Sequence, residues 1–119
     1  MSIIKKLIDI LSEDGTEVNM PLQHKGECIN KYIVVKMDGV SPTLSLSSER
    51  PIYTIMCYVP ENKYSELESF VIETKRKMKQ MFPLLMYNEG SETPSFYDET
   101  AKAHMISFQY LNCRKIENW

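Results

Sequence analysis

The sequence predicts an α+β fold: a mainly antiparallel sheet of four to five strands packed with two helices, in the order α-β-β-β-α-β-β. Apolar residues recur at helical spacing in two segments, and β-branched or alternating apolar runs occupy the segments between and after them. The chain has 119 residues, 43% hydrophobic and 25% charged, which suits one domain spanning 1–119 and excludes a disordered, collagen-like or coiled-coil chain. A domain of this size leaves roughly a third of its unfolded surface exposed, so burial against a second subunit would add to its stability.

Counted at about 100° per residue, Ile4, Leu7, Ile8, Ile10 and Leu11 fill one arc of about 160°, with Lys5, Lys6 and Asp9 opposite. This is a short amphipathic helix, stopped at Asp14-Gly15, where glycine accepts the left-handed cap conformation. Its stripe is wide for three turns, and part of it, Ile8 included, is expected to face something other than its own core. The same run is too short and too charged for a signal-peptide core or a membrane span, and nothing later reaches the apolar length needed. After a weak extended stretch around Val18 to Leu22, Tyr32-Ile33-Val34-Val35-Lys36-Met37 is a β-branched strand closed by the turn dipeptide Asp38-Gly39. The Ser- and Pro-rich segment Val40 to Pro51 reads as a long turn or hairpin arm, with Thr43 to Ser47 extended. Ile52 to Val59 is a strand apolar on both faces, Ile52, Thr54, Met56 and Tyr58 on one and Tyr53, Ile55, Cys57 and Val59 on the other. Such a strand needs cover on both sides, from its own helices or from a neighbouring subunit.

Pro60 ends that strand, and Ser65-Glu66-Leu67-Glu68 has the pattern of a capping box opening a second helix. Leu67, Phe70, Val71, Thr74, Met78 and Met81 form its stripe, and Pro83, which lacks an amide proton and restricts Phe82, stops it. Ile72 falls about 140° from Leu67, among polar residues, which is the wrong place in a monomer. Leu84 to Tyr87 is a short strand or the docking end of the helix. Asn88 to Ala101 shows no periodicity and holds Glu89, Glu92, Asp98 and Glu99 with no basic residue. A structureless loop of about fourteen residues is uncommon in a compact domain unless it carries function or disorder. Ala103 to Leu111 alternates, His104, Ile106, Phe108 and Tyr110 against Met105, Ser107, Gln109 and Leu111, and is the last strand.

Chemical signatures are sparse. With 14 Lys and Arg against 16 Asp and Glu, the formal charge of -2 gives no global field to hold a polyanion. None of the four glycines sits in a dinucleotide or P-loop phosphate cradle. His24 and His104 lack partners at metal-binding spacing, so one exposed loop histidine and one strand histidine are expected, with no metal and no cofactor. Cys28, Cys57 and Cys113 are odd in number and not closely spaced, which speaks against a disulfide scaffold or zinc knuckle and for a reducing compartment. A thiol enzyme would need Cys28 or Cys57 activated by His104, but no local signature supports one, and Cys57 is expected as a small buried hydrophobe. The pairs Glu13-Asp14 and Glu66-Glu68 lie at helix ends, where they answer backbone partial charges, and Asp98-Glu99 takes a surface role. Lys75-Arg76-Lys77 with Lys79 ends the second helix, where cations offset the dipole, and Glu73 sits four residues before Lys77. A solvated helix face is expected in preference to a phosphate-binding patch.

Two stretches carry a resemblance: Ile55-Met56-Cys57-Tyr58-Val59-Pro60 leading through Tyr64 and Leu67-Glu68 into the second helix, and Tyr97-Asp98-Glu99 leading through Lys102-Ala103-His104-Met105 and Ser107 to Tyr110. With the amino-terminal helix and the Tyr32 to Lys36 strand, they make most of the chain similar to the small tail-terminator or tail-completion proteins of long-tailed bacteriophages and contractile phage-tail-like particles. The resemblance implies a non-enzymatic structural subunit forming a homo-oligomeric, hexameric ring on the head-proximal end of the tail tube. There it stops tube polymerisation and presents a surface to a head-tail connector or sheath. It also implies a virion or bacteriocin-like particle assembled in the bacterial cytoplasm, the tail tube protein as partner, no membrane, and DNA passing through the lumen without specific binding. On such a ring Ile8, Ile72, Glu89, Glu92, Phe96, Tyr97, Asp98 and Glu99 are the expected interface or lumen residues, and slightly acidic walls would let DNA slide without sticking. A neck stopper or head-tail connector is the alternative of the same class. From other classes come a thiol or acid-base enzyme using Cys57, His104 and Asp98, and a DNA-binding accessory protein using Lys75 to Lys79.

Overall fold

The two helical stripes and the β-branched runs each become an element in a computed structural model of the chain, which describes residues 3–20, 28, 30–42, 49–82 and 84–112. Helix α1 (Ile3–Leu11) is followed by strands β1 (Glu17–Asn19), β2 (Tyr32–Pro42) and β3 (Glu49–Pro60), helix α2 (Leu67–Met78), and strands β4 (Leu85–Tyr87), β5 (Phe96–Asp98) and β6 (Ala103–Asn112). The strands form one sheet in the order β1-β2-β3-β6-β4, with β5 also paired to β6. The fold is α+β with two helices among the described residues, as expected. The expected count and pairing match only in part, because the sheet has six strands and is mixed. β1 runs parallel to β2, with Val18 opposite Ile33, while the other pairings are antiparallel. Residues 20–31, which join β1 to β2, supply the dozen or so residues that a parallel crossover needs.

Both helices lie on one face of the sheet. Leu7 and Leu11 of α1 and Leu67, Phe70, Val71 and Met78 of α2 meet Ile33, Val35, Tyr53, Ile55, Cys57, Val59 and Phe108 there. Every residue of the expected α2 stripe is buried, Met81 just past the helix included. Thr74 can sit in this core because its hydroxyl donates to the Phe70 carbonyl at 2.8 Å. Gly15 ends the turn after α1 at φ 90°, in keeping with its expected cap role.

Local structure departs from expectation in places, each time for a physical reason. Glu61–Glu66 is a 3-10 turn running directly into α2, and no side chain caps the helix. The first donors of α2 meet main-chain carbonyls instead, as when Leu67 N–H bonds Tyr64 C=O, so Ser65-Glu66-Leu67-Glu68 is not a capping box. Asp38-Gly39 is not a turn. β2 continues to Pro42 with a register shift between Met37 and Gly39, the bulge that a glycine inside a strand often marks. Val40, Ser41 and Pro42 pair with Pro51, Arg50 and Glu49, making the hairpin arm that the Ser- and Pro-rich composition suggested.

The expected structureless loop over 88–101 is an interrupted edge strand. Asn88 N–H donates to Gln109 C=O and Thr93 N–H to Ser107 C=O, both at 2.9 Å, and Phe96 then stands opposite Met105. β4, the linking segment and β5 thus follow β6 in one antiparallel course. Residues 89–92 loop out on a turn closed by Ser91 N–H to Asn88 C=O at 3.1 Å, with Gly90 at φ 82°. Side-chain hydroxyls replace missing strand carbonyls: Ser91 Oγ accepts from Gln109 N–H at 2.9 Å and Thr93 Oγ1 from Ser107 N–H at 3.1 Å. Leu22, His24, Thr43 to Ser47, Pro83 and Cys113, on which expectations also fell, lie outside the described residues.

Candidate functional site

The strand registers place Phe96, Met105, Tyr58 and Tyr32 in one row across the sheet, on the side opposite the helices, and Ser107, Met56 and Val34 in the next. Met86, Leu111 and Ile52 make a further row on the same side. No helix covers this face among the described residues. One corner is packed by Cys28 and Ala101 against Tyr32, Val34, Ala103, Met56 and Tyr58. Cys28 N–H donates to Ala101 C=O at 2.6 Å, and the Tyr32 and Tyr58 rings stack at 4.7 Å. Away from that corner Ile52, Met105 and Leu111 are partly buried, Met86 is exposed, and Phe96 is 56% exposed. A face rich in methionine and aromatic side chains, with charge among the described side chains toward its margins at Glu17, Lys36 and Asp98, has the composition of an interface core.

β5 closes one end of this surface beside the 3-10 turn. Tyr97 points to the helix side, where its hydroxyl donates to Glu61 Oε2 at 2.7 Å. Its ring and that of Tyr64 flank His104, with centroids at 5.2 and 4.6 Å. Asp98 Oδ1 accepts from the N–H groups of Thr100 and Ala101 at 2.9 and 3.1 Å, fixing the turn into β6 in which Lys102 adopts φ 51°.

No protein-family model matches the chain, and no curated protein matches it.

The expected interface residues fall into separate groups. Phe96, Tyr97, Asp98 and Glu99 come together at the β5 corner. Glu89 is exposed on the looped-out segment, and Glu92 beside it pairs with Lys75, whose ammonium also lies over the rings of Tyr87 and Phe108 at 4.8 and 5.1 Å. Ile8, partly buried on α1, and Ile72, 59% exposed on α2, lie across the sheet from the Phe96 side chain.

The solvated helix face expected at the end of α2 holds for Arg76 and Lys79, which are exposed, and is corrected at Lys77. Lys77 is buried, donates from Nζ to Leu11 C=O at 3.2 Å, and pairs with Asp14 Oδ2 at 2.7 Å. It thereby caps the carboxyl end of α1, where an unaccompanied Asp14 would face the negative end of the helix dipole. The ammonium of Lys77, and after it the Thr16 hydroxyl, hold the Asp14 carboxyl well below the usual carboxylate range. Glu73 pairs with Arg76 rather than Lys77. The signal for a buried Lys77 was present, since 100° per residue sets it about 20° from Phe70 on the apolar arc.

Cys57 is a buried thiol, as expected. Its Sγ donates to Thr74 Oγ1 at 3.6 Å, and burial pushes its pKa up to about 12. Asp98 stands on the opposite side of the sheet from Cys57 and His104. Beyond the expected site, the helix-free face adds Met86, Met105 and Leu111. Their signal lay in the second apolar face of the Ile52 to Val59 strand and in the alternate residues of the last strand.

Proposed function

We propose that the protein is a structural assembly subunit that forms a homo-oligomeric ring on the head-proximal end of a phage-type tail tube, ends tube polymerisation and provides the joint to neck or sheath. The observation that supports it is the helix-free sheet face. Packing of α1 and α2 uses only one side of the sheet, yet the other carries Ile52, Met56, Tyr58, Met105 and Leu111, with Phe96 at its end. Sheets bury such faces against another layer, and a neighbouring subunit supplies that layer. The β5 corner from Phe96 to Glu99 extends the contact, while exposed Glu89 lends the lumen a weakly acidic wall past which DNA moves without specific binding.

Native mass spectrometry of the purified protein, alone and with tube subunits, tests this reading. A hexamer is expected, and adding it to growing tubes should halt elongation at substoichiometric amounts. A chain that stays monomeric at high concentration and neither binds nor stops tube subunits overturns it.

A further inference from the structure

On the helix side of the sheet, beside β4, a cleft of about 500 Å³ opens between the end of α2 and the strand. Met78, Phe82, Leu85 and Tyr87 give it apolar walls. Phe82 is 66% exposed although its backbone is fixed, its N–H bonding Lys79 C=O at 3.2 Å. Tyr110 also lines the cleft. It is only 5% exposed, and its hydroxyl has no hydrogen-bond partner among the described residues. Burial raises the pKa of that phenol, so it keeps its proton and can donate from the cleft wall. At the cleft's edge Lys79 is exposed and has no ion-pair partner among the described residues, unlike Lys75, Arg76 and Lys77.

β4 is the last strand on its side of the sheet, so its outward N–H and C=O groups have no strand partner among the described residues. Leu85 and Tyr87, alternate residues of that strand, are also cleft residues. An open edge beside a pocket lined by the edge's own alternate side chains is the arrangement by which an extended peptide adds to a sheet. Main-chain pairing gives affinity, and the side chain entering the pocket gives specificity.

We infer that β4 and this cleft form a docking site for an extended arm of a partner protein, with an apolar or aromatic anchor seated in the cleft and acidic residues beside the anchor facing Lys79. The Tyr110 hydroxyl supplies the donor for an oxygen of the arm. A second copy inserting its own Phe82 would bring Lys79 against Lys79, a like-charge contact that disfavours self-pairing. The chain's own acidic aromatic segment, 96–99, is held in β5 by its pairing with β6 and is not available as the arm. The site lies across the sheet from the ring face and does not depend on ring formation.

Ten-residue peptides with a central Phe or Leu, flanked by Asp and Glu, by Lys and Arg, or by Ser, titrated into isotope-labelled protein would test the site by NMR. The acidic set is expected to bind at low salt with a Kd below about 1 mM, shift the amides of Leu85 to Tyr87 and protect the outward-facing Leu85 and Tyr87 N–H groups from exchange, Met86 being paired inward with Leu111. The basic set should bind about tenfold more weakly, and Lys79→Glu should reverse that order. Tyr110→Phe keeps the ring, so its melting temperature should hold while affinity for the acidic set falls about fivefold. No shift at β4 with any set, equal binding of the three sets, or shifts confined to another surface overturns the assignment. Ring mass measured on the same variants is expected to stay unchanged, which separates failure of this site from failure of the ring.

Discussion

A lysine that points inward from a helix must find acceptors, and Lys77 finds two that belong to the other helix. Its bonds to Leu11 C=O and Asp14 join the end of α1 to α2 and satisfy an ammonium held out of water. Lys77→Ala should therefore cost about 2–3 kcal/mol, read as a shift of the urea midpoint, because it removes charge-assisted bonds and uncaps α1. Asp14 is half exposed, so its share is smaller and screened by salt. The pH dependence follows from the depressed folded pKa. The stabilisation is intact above the ordinary carboxylate value of about 4 and is lost as pH falls through the folded value. The gap in melting temperature between the wild type and Asp14→Asn should thus be widest above pH 5 and close toward pH 2. Cys57 makes the opposite kind of residue prediction. With its thiol buried and its pKa near 12, alkylation at pH 8 should track global unfolding, and fast labelling of the native protein would contradict the placement of Cys57 in the core.

At the scale of elements, the interrupted edge strand shows how an apparently patternless segment can be ordered. Ser91 and Thr93 hold the amides of Gln109 and Ser107, and Gly90 provides the positive φ that lets 89–92 loop out. Ser91→Ala and Thr93→Val should each cost about 1 kcal/mol, a few degrees in melting temperature for a domain of this size. Gly90→Ala should cost a similar amount through strain alone, since open space surrounds the added methyl. This segment was opaque in the sequence because hydroxyl-to-backbone bonds leave no hydrophobic period to count. The α2 stripe, by contrast, was legible in full, because burial repeats with the turn of the helix. The parallel β1–β2 pair was not legible, since no residue in β1 encodes the direction of its partner strand. Lys77 was hidden for another reason: a charged side chain signals solvent more strongly than a place on the apolar arc signals burial.

For the whole molecule, the proposed ring raises the question of which side of the sheet would meet a neighbour. Two apolar faces on the Ile52 to Val59 strand signalled a double cover, and the structure supplies α1 and α2 to only one of them. The exposed residue Ile72 offers the helix side as a rival contact, but it stands near Arg76 and Lys79, whereas Met105 sits between Tyr58 and Phe96 in a row whose charge, Glu17, lies at the far end beyond Tyr32. Desolvating isolated apolar area beside cations gains less than covering a continuous charge-poor surface. Met105→Lys should therefore reduce native mass to that of the monomer while far-UV circular dichroism and the urea midpoint stay close to wild type, the side chain being only partly buried. Ile72→Glu should leave the assembly intact. If Ile72→Glu disperses the assembly and Met105→Lys does not, the subunits of the proposed ring meet through their helices, and the apolar row from Tyr32 to Phe96 is left for another partner.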